Sequence, residues 1–128
     1  MRAFSSVSLL AFVLAGVPAA AADIQAGEKV FEKCQQCHHI GLGATNFYGP
    51  VLNGLIDRKA GTVPGFKYSP ALEKSDVVWN YDSLSKYLKQ PKHEIPGVAM
   101  TFPGLTNQAD IDNVIAYIAQ FRRDGGKD

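Results

Sequence analysis

The chain has 128 residues, with 13 Lys or Arg against 12 Asp or Glu, and only 2 cysteines. That length allows one ordinary domain. The near-neutral balance, without a basic stripe, gives no footing for nucleic-acid binding.

Met1-Arg2 supplies a short positive start, and Ala3 to Ala22 carries no charge and is rich in Ala, Val, Leu and Phe. It closes on Ala20-Ala21-Ala22, followed by Asp23. A charged start, an apolar middle and a small-residue exit are the parts of a secretory signal peptide. Residues 1–22 are therefore read as a leader cleaved after Ala22, which directs the chain out of the cytoplasm. The competing reading is a retained membrane anchor, for which a run interrupted by Ser and bearing Pro18 is marginal. Without Arg2 the charges balance at 12 and 12. The remaining residues, 23–128, form a single domain with a frayed end expected from about Asp124. A chain this short buries limited apolar surface and gains from a disulfide, metal or cofactor.

Four helical stretches follow. Ala26, Val30, Phe31, Cys34 and Cys37 share one face of a helix predicted from Asp23 to Cys37, with Asp23 as its cap. A short helix is expected at Pro70 to Lys74. A third spans Ser83 to Gln90, with Asp82 as N-cap, Pro91 as stop and Leu84, Tyr87 and Leu88 as the buried stripe. The last covers Gln108 to about Arg123, where Ile111, Val114, Ile115, Ile118 and Phe121 mark the apolar face. Asn107 with Asp110 reads as a variant capping box. No pair of alternating strand runs is seen. The connectors Gly41 to Pro64 and Pro91 to Gly104 are long and rich in Gly and Pro. Loops of that length in a small domain are usually functional or wrapped around a ligand, here one that replaces part of the core.

Cys34-Gln35-Gln36-Cys37-His38 is the pattern C-x-x-C-H, read as covalent c-type haem attachment. On a helix end, positions i, i+3 and i+4 lie together. Two thiols there can form thioethers to one haem while the next imidazole reaches the iron. A thioredoxin-like redox pair would bring a βαβ pattern, which is missing. A structural zinc site would need a second ligand pair, and only His39 and His93 are left. His38 takes one face of the iron. For the other, Met100 is the one methionine remaining after the leader, in a Pro/Gly-bounded loop; a Met/His pair favours electron transfer. Ordinary core packing is the competing role for a lone Met, and His93 is the other soft ligand.

Several separated blocks, in one order, resemble a class I c-type cytochrome, nearest to the bacterial cytochrome c2 and mitochondrial cytochrome c group. They are Gly27 to His38, Tyr48-Gly-Pro50-Val-Leu-Asn-Gly-Leu55, Gly65-Phe-Lys-Tyr68, Trp79, Tyr87-Leu-Lys-Gln-Pro91, Ile95-Pro-Gly97, Met100-Thr-Phe102 and Ile115-Ala-Tyr-Ile118. The resemblance covers about Ala26 to Phe121. It implies a small all-α cytochrome c fold of about four to five helices, with long loops around one covalent haem c. It further implies that the Pro50 carbonyl accepts from the His38 ring, and that Arg58, Tyr68 and Trp79 surround a haem propionate. Tyr87 would stand near the methionine sulfur, Phe102 would shield the haem edge, and Gly27 and Phe31 would join the first and last helices. Core packing is the simpler role for Trp79, Tyr87 and Phe102.

Three departures stand out. Val98 and Ala99 replace the Thr and Lys of the mitochondrial form, Leu72 replaces an Asn, and the Ile40 to Tyr48 loop lacks charge where mitochondrial relatives are lysine-rich. His93 stands where the family often has a lysine able to displace Met, and is either an alternative ligand or a solvated surface His. The resemblance implies a monomeric periplasmic one-electron carrier, not an enzyme, that meets redox donors and acceptors. These would be a quinol-oxidising complex, terminal oxidase, reaction centre or periplasmic dehydrogenase. Lys33, Lys89 and Lys92 are the docking candidates. A haem-based ligand-binding or peroxidase-like protein with a labile Met is the alternative, and a thiol–disulfide oxidoreductase at Cys34 and Cys37 is another.

Overall fold

The computed structural model describes residues 21–128. The expected leader, residues 1–22, lies outside the described residues apart from Ala21 and Ala22. Five helices are formed among them: α1 (Ile24–Phe31), α2 (Pro70–Glu73), α3 (Tyr81–Lys89), α4 (Pro91–Glu94) and α5 (Gln108–Ala119). No strand forms among the described residues; two isolated bridges, Lys59 with Val78 and Phe121 with Lys127, pin loops instead. The all-α class matches the expectation.

Helix α1 starts where Asp23 accepts from the Ala26 amide at 3.1 Å. It ends at Phe31, earlier than expected. From there the chain tightens, with the Cys34 amide donating to the Phe31 carbonyl at 2.7 Å and the Cys37 amide to the Cys34 carbonyl at 3.0 Å. These i−3 bonds give turns rather than α-helix. The His38 amide still donates to the Cys34 carbonyl at 2.9 Å, so the C-x-x-C-H stretch keeps one helix-like turn.

Helix α3 begins at Tyr81, not Ser83, because Asn80 and not Asp82 caps it. The Asn80 side chain accepts from the Ser83 amide at 3.0 Å while the Ser83 hydroxyl accepts from the Asn80 amide at 2.9 Å. This reciprocal pair satisfies two N-terminal donors at once. Asp82 falls in the first turn and pairs with Lys86 at 3.1 Å. Pro91 ends α3 as expected, and it also opens the one-turn α4, which was not foreseen. Proline suits the first helical position because its missing N–H would have had no intrahelical partner.

Helix α5, capped by Asn107, ends at Ala119 rather than near Arg123. The end from Asp124, expected to fray, is hooked back instead. The Arg122 amide donates to the Gly126 carbonyl at 2.8 Å and the Asp128 amide to the Gln120 carbonyl at 3.1 Å. The Lys127 ammonium lies 5.1 Å from the Phe121 ring centroid.

Helices α1 and α5 pack face to face around Val30, Phe31, Ile111, Val114, Tyr117 and Ile118, all buried. Phe31 meets Tyr117 with ring centroids 5.3 Å apart. At their crossing Gly27 lies against the α5 backbone, where an added Cβ would overlap the Asn113 carbonyl. Gly27→Val should therefore cost about 2 kcal/mol or more through overpacking. The check is denaturant unfolding, whose midpoint should fall with little change in slope. An unchanged midpoint would contradict the close approach.

Candidate functional site

The α1–α5 crossing fixes the end of α1, and with it the direction of the Cys34–His38 turn. His38 is half-buried and its Nδ1 donates to the Pro50 carbonyl at 2.8 Å. That bond fixes the ring orientation and leaves the Nε2 lone pair available to a metal. Burial holds the imidazole pKa below its ordinary value, with the Pro50 bond opposing the shift. A neutral ring is the ligating form. Gly49 permits the contact: a Cβ there would overlap the His38 ring, and the Gly49 amide donates to the Cys37 carbonyl at 2.7 Å.

Cys34 is half-buried and Cys37 exposed, and the two are not joined in a disulfide. Burial pushes the Cys34 thiol up to about 11. A thiol so reluctant to ionise is a poor nucleophile, which argues against the thiol–disulfide alternative.

One cavity of about 530 Å³ gathers the residues expected at the site. Cys34, Cys37, His38, Pro50, Arg58, Tyr68, Trp79, Tyr87, Met100 and Phe102 all line it. Among these ten only Tyr87 stands in a helix; three come from the turn after α1 and the other six from loops. Arg58 lies between loops, its Nη1 donating to the carbonyls of Val51 at 3.1 Å and Asn53 at 3.0 Å. Burial lowers its pKa, while Tyr68 nearby opposes that shift. The cations Lys33, Arg58 and Lys67 line the cavity without any Asp or Glu. A half-buried guanidinium of this kind suits an anionic group brought by a ligand. Tyr68 accepts at its hydroxyl from the Val63 amide at 3.0 Å, and Trp79 packs on Tyr87 with centroids 4.9 Å apart.

The Tyr87 hydroxyl donates to the Met100 sulfur across 3.9 Å. Burial pushes its pKa up to about 12, so it remains a donor at neutral pH. Leu72 and Val98, two of the departures from the mitochondrial pattern, also line the cavity. His93 does not: its side chain is 77% exposed beside Glu94 at 3.6 Å. Lys33 reaches the cavity wall, while Lys89 and Lys92 are exposed elsewhere on the surface. The uncharged Ile40 to Tyr48 loop presents Leu42 at 83% and Tyr48 at 77% exposure.

Two asparagines escaped the reading of the sequence. Asn46 links loops by accepting from the Val51 amide at 2.9 Å and donating to the Pro64 carbonyl at 3.1 Å. Asn53 is buried and bonds both the amide and the carbonyl of Gly41, at 2.8 and 2.9 Å. The signal was present for Asn53, a polar residue inside the apolar block Val51-Leu52-Asn53-Gly54-Leu55. A buried amide demands partners.

An all-α chain that aims two thiols and an anchored imidazole into a loop-walled apolar cavity, with cations and no carboxylates lining it, fits covalent haem of the c type. The comparisons agree. The family model for cytochrome c matches residues 24–122. Cytochrome c2 of Rhodoblastus acidophilus is 50% identical over 84% of this chain and 100% of its own length. Cytochrome c2 of Blastochloris viridis is 48% identical over 91% of this chain and 93% of its own. Among solved structures, cytochrome cH from Methylobacterium extorquens superposes with a TM-score of 0.72 at 38% identity, over 77% of this chain and 98% of that one. The chain belongs to the cytochrome c family. It has the small cytochrome c fold, carries a covalently bound haem c with iron, and is an electron-carrier cytochrome with redox proteins as partners.

Leu72 and Val98 give the cavity wall fewer hydrogen-bonding groups than the Asn and Thr of the mitochondrial pattern would. A drier pocket disfavours the ferric charge and raises the potential. The double substitution Leu72→Asn, Val98→Thr should lower the midpoint potential in redox titration. No change would reject this account of the pocket.

Proposed function

We propose that the chain is exported by a leader, residues 1–22, removed after Ala22, and serves in the bacterial periplasm as a monomeric one-electron carrier and not as an enzyme. The observation that carries the reading is the convergence of Cys34, Cys37, His38 and Met100 on one cavity. Among the described residues no helix is long and apolar enough to cross a membrane.

In this reading Cys34 and Cys37 would hold the haem through thioethers, and His38 and Met100 would be the ligands of its iron. Bound there, the haem supplies a reversible one-electron couple. The residues around it set how readily that couple turns over. Pro50 orients His38 and raises its basicity through the Nδ1 bond. Tyr87 orients the Met100 sulfur. Arg58, Tyr68 and Trp79 bind the propionate end, and Phe102 excludes water from the edge. With two iron ligands supplied by the chain, a substrate would find no open place on the iron. Ligands held by the packed chain would move little between the oxidised and reduced forms, so exchange would need little rearrangement.

The proposed partners are a quinol-oxidising complex, a terminal oxidase, a photosynthetic reaction centre or a periplasmic dehydrogenase. They would meet the cavity where Lys33 and Tyr48, the end of the uncharged loop, line it. The Ile40 to Tyr48 loop carries no charge, so it adds no electrostatic steering. The bimolecular rate with a redox partner should therefore fall only gently as ionic strength rises, as stopped-flow mixing would show. A steep fall would move docking toward the exposed Lys89 and Lys92.

The central test is absorption spectroscopy after denaturing extraction of free haem. The wild type should retain its haem and show the weak far-red sulfur-to-iron band when ferric. Met100→Ala should lose that band and bind carbon monoxide rapidly, with the haem still attached. A wild type that lacks the band and binds carbon monoxide would favour the haem-based ligand-binding reading.

A further inference from the structure

The His38–Pro50 bond depends on how firmly the loop bearing Pro50 is held, and that loop is closed at its neck by a buried amide. Asn53, only 8% exposed, accepts from the Gly41 amide at 2.8 Å and donates to the Gly41 carbonyl at 2.9 Å. The Leu52 amide adds a bond to the His39 carbonyl at 3.0 Å. The pair acts like a rung of a sheet ladder, made by a side chain in place of a strand. From the other side of the same loop, Arg58 clasps the carbonyls of Val51 and Asn53. Pro50 thus sits within a segment whose two ends are tied by the residues immediately around it.

The hook after α5 closes over this neck. Gly125 is buried at φ +84°, where an added Cβ would overlap the Gly41 carbonyl and lie 2.9 Å from the Asn53 Nδ2. Next along the neck, the Gly54 amide donates to the Phe121 carbonyl at 2.9 Å. The hook is itself held: the Gly125 amide donates to the Arg122 carbonyl at 2.9 Å, and Arg122 reaches the Lys127 carbonyl at 2.8 Å and Asp128 at 3.0 Å. The last residues therefore keep water from an amide pair that water would otherwise compete for.

We propose that Asn53, sealed by the 121–128 hook, is a positioning residue for the iron ligand: it fixes the Pro50 carbonyl against the His38 ring and so sets the electron donation of the imidazole. The inference rests on the reading of His38 as an axial ligand. A well-held Nδ1 bond gives the imidazole anionic character and favours the ferric state. Loosening the neck weakens the bond, frees the Nδ1 proton to exchange and raises the midpoint potential. The chain end, far from the haem motif in sequence, thereby tunes the site without touching it.

The test uses the haem-loaded wild type, Asn53→Leu, Gly125→Ala, a chain ending at Arg123, and Tyr81→Phe. The last breaks the exposed 2.7 Å bond to Asp112 and controls for loss of stability away from the loop. Two quantities are read: exchange of the His38 Nδ1 proton by nuclear magnetic resonance, and the midpoint potential. Asn53→Leu, Gly125→Ala and the shortened chain should each speed exchange by about tenfold or more and raise the potential, while Tyr81→Phe does neither. If Asn53→Leu fails to fold, Gly125→Ala and the shortened chain decide. Paramagnetic shifts of the His38 ring in the ferric wild type report ligation separately. Their absence would overturn the ligation reading and this inference with it. Shifted ring protons with exchange and potential unchanged in the variants would overturn the positioning role alone.

Discussion

The close approach of α1 and α5 at Gly27 is the constraint from which the rest of the structure follows. Only a residue without Cβ lets the α1 backbone meet the Asn113 carbonyl. That approach seats Val30 and Phe31 in the α5 face and fixes where α1 ends. The tightened turns after Phe31 then aim Cys34, Cys37 and His38 at the cavity. A bulkier crossing would shift that turn, and with it the two thiols and the imidazole on the cavity wall.

Most of the remaining wall is loop, which has little regular hydrogen bonding of its own. Their backbone groups are satisfied by individual side chains: Asn46 between Val51 and Pro64, Asn53 on Gly41, Arg58 on Val51 and Asn53, and Tyr68 on Val63. Among the described residues no buried side-chain polar atom lacks a partner. Such bonds rigidify loops that pure apolar packing would leave mobile. They also join fold to site, because the groups that hold the loops also hold residues that line the cavity.

Charge plays a smaller part in the fold. The ion pairs among the described residues, such as Lys59 with Asp76 at 3.3 Å and Lys86 with Asp82 at 3.1 Å, are exposed and contribute little stability. Apolar burial along α1, α3 and α5 and the covalent haem carry the fold, as a chain of this length requires.

Much of the site was legible in the residues because its chemistry is local. C-x-x-C-H within one turn specifies its ligand by spacing alone, and the apolar periodicity of α5 marked its buried face without reference to any neighbour. The Met100 loop and the aromatic lining were readable through separated blocks that resemble a known family. Helix ends were less legible: Asn80 and Asp82 are both good caps, and only the reciprocal bond with Ser83 decides between them. The sequence by itself determined the haem motif, the helical class and the apolar faces, since each depends on neighbours within a turn or two. Tertiary structure alone decided that Asn53 closes the loop bearing Pro50, that the chain end hooks over that neck, and that Arg58 spans two carbonyls. Those partners are brought together by folding, and no local spacing encodes a hydrogen bond between distant segments.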